Sequence, residues 1–200
     1  MPGSSLWLLP PRGHPLDAAL SKLIAETAAQ FGSPHTFLPH VTLTSEIAAD
    51  VYAPNPQAWL DALALPPPSQ THVSLGPLAS EPVYVRKLYS RVPHPGVVLA
   101  ARAARSVVQP NAAEVESWLE RKWVPHLSLL YHECVVVEAE KLRELEAWVR
   151  AEGVELDGGK GGERERERER EMGGWTGGRV VLVDTSRPIG EWVPIAEREL

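Results

Sequence analysis

The sequence predicts an α+β fold with a mostly antiparallel sheet. Short strand-like segments alternate with amphipathic helical segments along the chain, and two pairs of neighbouring strands are joined by short turns, as in hairpins. With 200 residues, 44% of them hydrophobic, the chain is long enough to bury a core as a single domain over residues 1–200.

The first half of the chain contains two predicted strands and two predicted helices. The apolar run 6–9 stops at two prolines and predicts a short buried strand. Over residues 16–31 apolar side chains recur every three or four positions and Gly32 follows, which predicts an amphipathic helix. A strand is expected at 40–46. A second helix at 55–65 begins with Asn55 as its cap and ends before three prolines, because Pro breaks a helix interior.

The second half repeats this alternation. Segments 71–78 and 83–92 alternate in the β manner and predict a hairpin. Helices are expected at 96–108, 112–119 and 138–152, and a strand is expected at 125–131. Residues 179–184 and 191–196 predict a final antiparallel pair.

One segment has low sequence complexity. Glu and Arg alternate strictly from Glu163 to Glu171, and glycine pairs stand on both sides. Every Arg in this run has acidic neighbours, and the run contains no apolar side chain. Residues 158–178 are therefore predicted to be a solvated, disordered loop insertion and not a basic tail.

A seven-residue pattern occurs twice in the chain. Residues 37–43 read FLPHVTL and residues 123–129 read WVPHLSL, so that aromatic, aliphatic, Pro, His, aliphatic, hydroxyl and Leu follow in the same order. In each copy the Pro stands where a predicted strand begins, a position that tolerates the missing N–H donor.

The two copies place an imidazole and a hydroxyl group on one face of each strand. Side chains alternate between strand faces, so His40 shares a face with Thr42 and His126 shares a face with Ser128. The members of each pair are about 6.6 Å apart along the strand, and a phosphate group fits between them. If the two strands lie side by side, an acid-base pair and two hydroxyl groups meet in one cleft, and the intervening residues face the core.

Other catalytic arrangements have weaker support. The only metal-ligand types close to the two histidines in sequence are Glu46, Glu133 and Cys134, and none recurs in both copies, so no metal site is predicted. Neither a Gly-x-Ser-x-Gly nucleophile elbow nor a phosphate-binding Gly-rich loop occurs. A third triplet, His72-Val73-Ser74, lacks the preceding Pro and aromatic residue and is expected to be part of a half-exposed strand.

Composition narrows the class of partner. The net charge of −6 disfavours binding to duplex nucleic acid, which requires a basic surface. The single cysteine, Cys134, excludes an intramolecular disulfide and favours an intracellular, reducing compartment. The apolar run near the start is too short for a signal peptide or a transmembrane segment. We expect a monomer that acts on a small anionic molecule.

The duplicated motif resembles that of the 2H phosphoesterases, a superfamily named for two His-x-Thr/Ser motifs, and within it the fungal 2',3'-cyclic-nucleotide 3'-phosphodiesterases. The matching stretches are PHVTLTS at 39–45 and PHLSLLY at 125–131. The resemblance implies a bilobal fold, with two mostly antiparallel sheets related by pseudo-twofold symmetry around a central cleft and helices on the outer faces. It also implies that no cofactor or metal is needed. Ser128 stands where the family more often has Thr.

The resemblance further implies hydrolysis of 2',3'-cyclic nucleotides to nucleoside 2'-phosphates, and of ADP-ribose 1'',2''-cyclic phosphate to ADP-ribose 1''-phosphate. His126 would be the base and His40 the acid, with Thr42 and Ser128 as phosphate ligands, although the two motifs are themselves symmetric. Tyr131 is a candidate substrate-binding residue if its strand ends before it. The implied location is cytoplasmic or Golgi-associated.

Two other functional classes stay open. One is another 2H activity on RNA ends, such as cyclic-end hydrolysis, 2',5' ligation or trimming. The other is a catalytically idle module that binds a nucleotide or a protein. Two intact histidines favour the enzyme, and the acidity of the chain disfavours long RNA.

Overall fold

The computed structural model describes residues 3–156 and 172–200. Most of the predicted loop insertion, residues 158–171, lies outside these ranges. The last part of the predicted insertion was expected to be a loop as well, but Gly174–Thr176 forms a strand. Within the described residues, no helix combines the length and the apolar character that crossing a bilayer requires.

Strands and helices interleave as the sequence predicted. The strands are β1 (Ser4–Leu9), β2 (Val41–Ile47), β3 (His72–Ser74), β4 (Leu78–Ala79), β5 (Leu88–Arg91), β6 (His126–Leu130), β7 (Gly174–Thr176), β8 (Arg179–Val183) and β9 (Pro194–Glu199). The helices are α1 (Pro15–Phe31), α2 (Pro56–Asp61), α3 (His94–Ser106), α4 (Ala112–Arg121) and α5 (Ala139–Ala151). Gly32 ends α1 in the left-handed conformation at φ 71°, and the side chain of Asn55 caps α2.

All strand pairs within residues 3–156 and 172–200 are antiparallel, which confirms the predicted α+β class. Seven strands form one sheet in the order β4-β5-β6-β2-β1-β8-β9, and β3 pairs with β7 in a small second sheet. The two lobes expected from the family resemblance are thus halves of one sheet. The halves meet where β2 runs beside β6, and a single residue pair, Val41 with Leu127, joins these two strands.

The two halves repeat the same arrangement around this seam. The first half contributes β1-α1-β2, and the second contributes β5-α3-α4-β6. Helix α1 packs against β6 of the second half, while α3 packs against β2 of the first half. Each half therefore covers the central strand of the other, which holds the two motif strands together from both sides.

The predicted hairpin at 71–92 is wrong in its first strand. The chain changes partner at Gly76, whose N–H donates to the carbonyl of Arg91 at 2.7 Å. Pro77 follows and has no N–H to continue a ladder. Residues 72–74 consequently pair with β7, and only the two residues of β4 pair with β5. In the second strand, a 3-10 turn at Tyr84–Arg86 interrupts the pattern before β5 begins.

The main core lies on the helix-covered face of the large sheet. Val41 and Leu43 on β2 and Leu127 on β6 are fully buried there, as the alternation predicted. The opposite face has a smaller apolar cluster of Trp7, Leu9, Val181 and Val183. The final strand begins at Pro194, three residues later than predicted, because a 3-10 turn occupies Ile189–Glu191.

Candidate active site

The register of β2 and β6 brings the two motifs together. Val41 opposes Leu127, so extending the antiparallel register by one residue in each direction sets His40 opposite Ser128 and Thr42 opposite His126. Directly opposed residues of an antiparallel pair share a sheet face. The two imidazoles and two hydroxyl groups consequently lie on the face opposite the main core, as the sequence predicted.

The two histidines are held by the same local hydrogen bond. Nδ1 of His40 lies 2.6 Å from the carbonyl oxygen of Leu38, and Nδ1 of His126 lies 2.6 Å from the carbonyl oxygen of Val124. A carbonyl oxygen only accepts, so Nδ1 carries the proton and donates in both rings. In the neutral state each Nε2 then carries a lone pair that can accept a proton, and at His40 this lone pair faces the Tyr131 hydroxyl.

Aromatic side chains surround His40, which is only 5% exposed. The Trp7 indole stacks on the imidazole with ring centroids 3.8 Å apart and planes 12° apart. The Tyr131 hydroxyl lies 3.4 Å from Nε2 of His40. Within a continuing strand, Tyr131 would point to the face opposite Ser128. Strand β6 ends at Leu130, however, and Tyr131 faces the cleft. Its ring stacks on Phe37 at 3.8 Å.

Charged groups surround His126. Arg86 lies on the 3-10 turn before β5, and its guanidinium binds Glu81 through Nε at 2.9 Å and through a terminal nitrogen at 2.8 Å. Glu81 also accepts a hydrogen bond from the Tyr89 hydroxyl. The Tyr89 ring meets His126 edge-on, with centroids 5.4 Å apart. His126 therefore lies beside an anchored cation and the carboxylate that anchors it.

Burial makes both imidazoles weaker bases than a histidine in water. Loss of solvation lowers the pKa of His40 to about 4, against the opposing effect of the Leu38 carbonyl. Burial also lowers the pKa of His126, and the nearby Arg86 lowers it further. At neutral pH, which lies above the ordinary histidine pKa of 6.5, both rings are thus mainly uncharged. An anionic phosphate entering the cleft would favour the protonated form of either ring.

The two motif hydroxyl groups are not equivalent. Ser128 is 3% exposed, and its hydroxyl donates to the carbonyl of Val85 at 2.6 Å. Thr42 lines the cleft, and its hydroxyl has no hydrogen-bond partner among the described residues. Only Thr42 offers a free donor to a ligand in this arrangement.

The motif residues open into a cleft of about 220 Å³. Trp7, Tyr131 and Trp192 form an aromatic end beside His40, while Trp118 and Lys122 lie at another end. Among the residues that the structure describes, none that lines the cleft is an Asp or Glu. Within the same ranges, no three His, Cys, Asp or Glu side chains lie close enough together to hold a metal ion.

Several lining residues have no local signal in the sequence. Trp192 comes from the turn before β9, and Trp7 comes from β1, where a core position is the simpler interpretation. Arg86 lines the cleft, whereas the adjacent Lys87 is buried and does not line it. The third triplet lies outside the cleft on β3, where the Ser74 hydroxyl is 2.9 Å from Nε2 of His72.

A bilobal antiparallel fold with two His-x-hydroxyl strands at its centre defines a phosphoesterase of the two-histidine (2H) class. The family model for cyclic phosphodiesterase-like proteins matches residues 1–200, and the chain belongs to that family.

Curated relatives and solved structures agree with this family. The chain is 46% identical over 203 residues to a 2',3'-cyclic-nucleotide 3'-phosphodiesterase of Phaeosphaeria nodorum, and 36% identical over 220 residues to one of Neurospora crassa, with 100% of each chain covered. The fold is similar to that of LigT from E. coli, solved in complex with ATP, with a TM-score of 0.53 and 15% identity. That comparison covers 100% of this chain and 98% of the other.

Proposed function

We propose that the chain hydrolyses 2',3'-cyclic nucleotides to nucleoside 2'-phosphates, without a metal ion, and that His40 and His126 are its acid and base. The observation that carries this proposal is the matched pair of imidazoles, each with Nδ1 bound to a backbone carbonyl and both lining one cleft. The activity named for the two relatives supports the choice of substrate. ADP-ribose 1'',2''-cyclic phosphate is a second substrate of the same chemical type.

The proposed reaction is a single displacement at phosphorus. One Nε2 takes a proton from water, whose oxygen forms a bond to phosphorus. The bond from phosphorus to the ribose 3'-oxygen breaks, and the second imidazole protonates that oxygen. Solvent then exchanges the proton gained by the base and restores the one lost by the acid. Thr42 donates to a non-bridging oxygen, and the anchored Arg86 offsets the charge that builds there.

We assign His40 as the acid and His126 as the base. The Trp7 face lies against the His40 ring, and a cation above an aromatic face is stabilised. That contact favours a proton on His40 once the anionic substrate is bound. Because one chain supplies both histidines, we also propose that the enzyme acts as a monomer.

The test is turnover of 2',3'-cyclic AMP in the presence of EDTA, with identification of the product. We expect adenosine 2'-phosphate, full activity in the chelator, and a loss of about 100-fold or more in either His40→Ala or His126→Ala. A 3'-phosphate product, loss of activity in EDTA or an active His40→Ala variant would contradict the proposal.

A substrate with an acidic leaving group tests the two histidine roles. A 2',3'-cyclic nucleotide in which sulfur replaces the bridging 3'-oxygen releases a thiolate that needs no proton, so only the acid becomes dispensable. We expect His40→Ala to recover most of its lost rate on this substrate and His126→Ala to stay slow. Recovery in His126→Ala instead would reverse the assignment.

A further inference from the structure

The cleft has a second polar region beyond the histidines, at the end where Ser45, Trp118 and Lys122 line it. Ser45 reaches this position because β2 contains a bulge. Trp7 pairs with Thr42 but the preceding Leu6 pairs with Thr44, so the extra residue at 43 shifts the alternation. The next residue facing the cleft after Thr42 is consequently Ser45, about 7 Å further along the sheet, because the bulged stretch spans only the two-residue step from Trp7 to Ser5 on β1.

This region offers hydrogen-bond donors and positive charge. The Ser45 hydroxyl accepts a hydrogen bond from Ser5 at 3.0 Å, which leaves its own hydrogen for a ligand. Lys122 is exposed beside it, and its ammonium has no carboxylate or hydrogen-bond partner among the described residues. Both groups suit an oxyanion.

A second cation, Arg105, lies next to this region. The Arg105 guanidinium lies over Trp118 at 4.7 Å, and its Nε is buried without a partner in the described part of the chain. Its nearest carboxylate, on Glu46, is 3.7 Å away and 64% exposed, so solvent weakens that pair. Arg86 is different, because Glu81 holds it through two hydrogen bonds. Positive charge is therefore least compensated around Lys122.

We propose that the Ser45–Lys122 end of the cleft binds a second phosphate group of the substrate, one nucleoside away from the cyclic phosphate. This inference rests on the proposed function for the position of the cyclic phosphate, between His40 and His126. The sugar then spans the distance from Thr42 to Ser45, and the uncharged aromatic end beside Trp7 and Trp192 is left for the base. The chain thus prefers 2',3'-cyclic nucleotides that carry a 5'-phosphate.

The test compares 2',3'-cyclic AMP with the same compound bearing a 5'-phosphate. We expect kcat/KM to be about five- to tenfold higher for the phosphorylated substrate. Lys122→Met keeps the length of the side chain, removes the charge and should bring the ratio of the two kcat/KM values close to one. Arg121→Met is the matched control, because Arg121 is an exposed neighbouring cation outside the cleft lining, and this variant should keep the wild-type ratio.

Binding of products separates this inference from the proposed reaction. Adenosine 2',5'-bisphosphate should bind more tightly than adenosine 2'-phosphate, and Lys122→Met should remove most of the difference, as followed by tryptophan fluorescence. If neither cyclic compound is hydrolysed but this binding difference is found, the subsite stands and the reaction fails. Equal kcat/KM values together with equal affinities overturn the subsite, as does an equal loss of preference in Lys122→Met and Arg121→Met.

Discussion

The hydroxyl residues of the two motifs have the same place in the sequence pattern but different hydrogen bonds. Thr42 keeps its hydroxyl free in the cleft, whereas Ser128 uses its hydroxyl to hold the carbonyl of Val85, next to Arg86. A hydroxyl that already donates to a carbonyl cannot donate to a phosphate oxygen without breaking that hydrogen bond. Thr42 is therefore the better candidate for stabilising the transition state, and Ser128 for positioning the turn that carries Arg86.

Replacing the two hydroxyl groups should affect different properties of the protein: the rate for Thr42 and the stability for Ser128. We expect Thr42→Val to lower kcat by about ten- to a hundredfold, with little change in the free energy of unfolding, because the shape is kept and one donor is lost. Ser128→Ala should cost about 1–2 kcal/mol of stability through the lost hydrogen bond. Steady-state kinetics and denaturant unfolding on both variants provide the measurement. A Ser128→Ala variant of normal stability and as slow as Thr42→Val would contradict this division.

Burial of His40 should make stability depend on pH. Its folded pKa of about 4 lies below the ordinary value of 6.5, so the unfolded chain binds more protons between these two values. The free energy of unfolding is therefore unaffected by protonation of His40 above pH 6.5. It decreases as the pH falls towards 4, and the decrease is about 2 kcal/mol at pH 5. Unfolding free energies at pH 7.5 and pH 5 measure the loss.

A pair of variants isolates this effect from the titration of carboxylates. His40→Gln should show a smaller loss of stability between the two pH values than the wild type. Thr42→Val changes a neighbouring residue without removing a titrating group and should keep the wild-type loss. If His40→Gln loses as much stability as the wild type, His40 is not the group responsible.

Among the elements, the small sheet depends on close backbone contact. Strand β7 lies against β3 with Gly174 opposite Ser74, and a Cβ atom at Gly174 would lie 2.0 Å from the carbonyl oxygen of Val73. No side chain fits at that distance. A three-residue strand that starts with Gly is also a weak β signal, which explains why the sequence pattern assigned it to the preceding loop.

Gly174→Ala should therefore disrupt the pairing of β3 with β7. We expect a loss of about 2 kcal/mol or more in unfolding free energy, because the new methyl group forces the two strands apart. Gly190→Ala is the matched control, since a Cβ atom there meets nothing within 4 Å. Thermal or denaturant unfolding measures the stability of both variants. Equal stability of the two would contradict the packing described.

For the whole molecule, the net charge of the chain is negative, whereas the charged side chains that line the cleft are positive. The chain has a net charge of −6, yet the described lining of the cleft contains Arg86 and Lys122 and neither Asp nor Glu. Such an arrangement attracts a small anion to one place and offers no extended track for a polyanion. It agrees with the small cyclic phosphate that the sequence predicts as substrate.

The dependence of catalysis on salt should accordingly be shallow. A substrate with one or two phosphates displaces few counterions, so log(kcat/KM) should fall with log salt concentration with a slope of about −1 to −2. An RNA oligonucleotide ending in a 2',3'-cyclic phosphate should show no steeper slope and no higher kcat/KM than the mononucleotide. A steep slope together with a clear preference for the oligonucleotide would favour the alternative activity on RNA ends.

The sequence by itself determined the features that depend on neighbouring residues. The periods of α1, α5 and the motif strands reflect local burial, and the alternation around His40 and His126 correctly places both imidazoles on one face, away from the core. Each ring is also oriented by a carbonyl only two residues away, so a seven-residue pattern contains both the imidazole and the group that orients it.

Tertiary structure alone decided what depends on contacts between distant segments. The register at Val41 and Leu127, the stacking of Trp7 on His40 and the hydrogen bond of Ser128 to Val85 each join parts of the chain that no local pattern relates. Two motifs that are symmetric in sequence thereby become inequivalent in the cleft. The physical reason is that the pKa of a ring and the freedom of a hydroxyl depend on what packs around them, and packing is set by the whole fold.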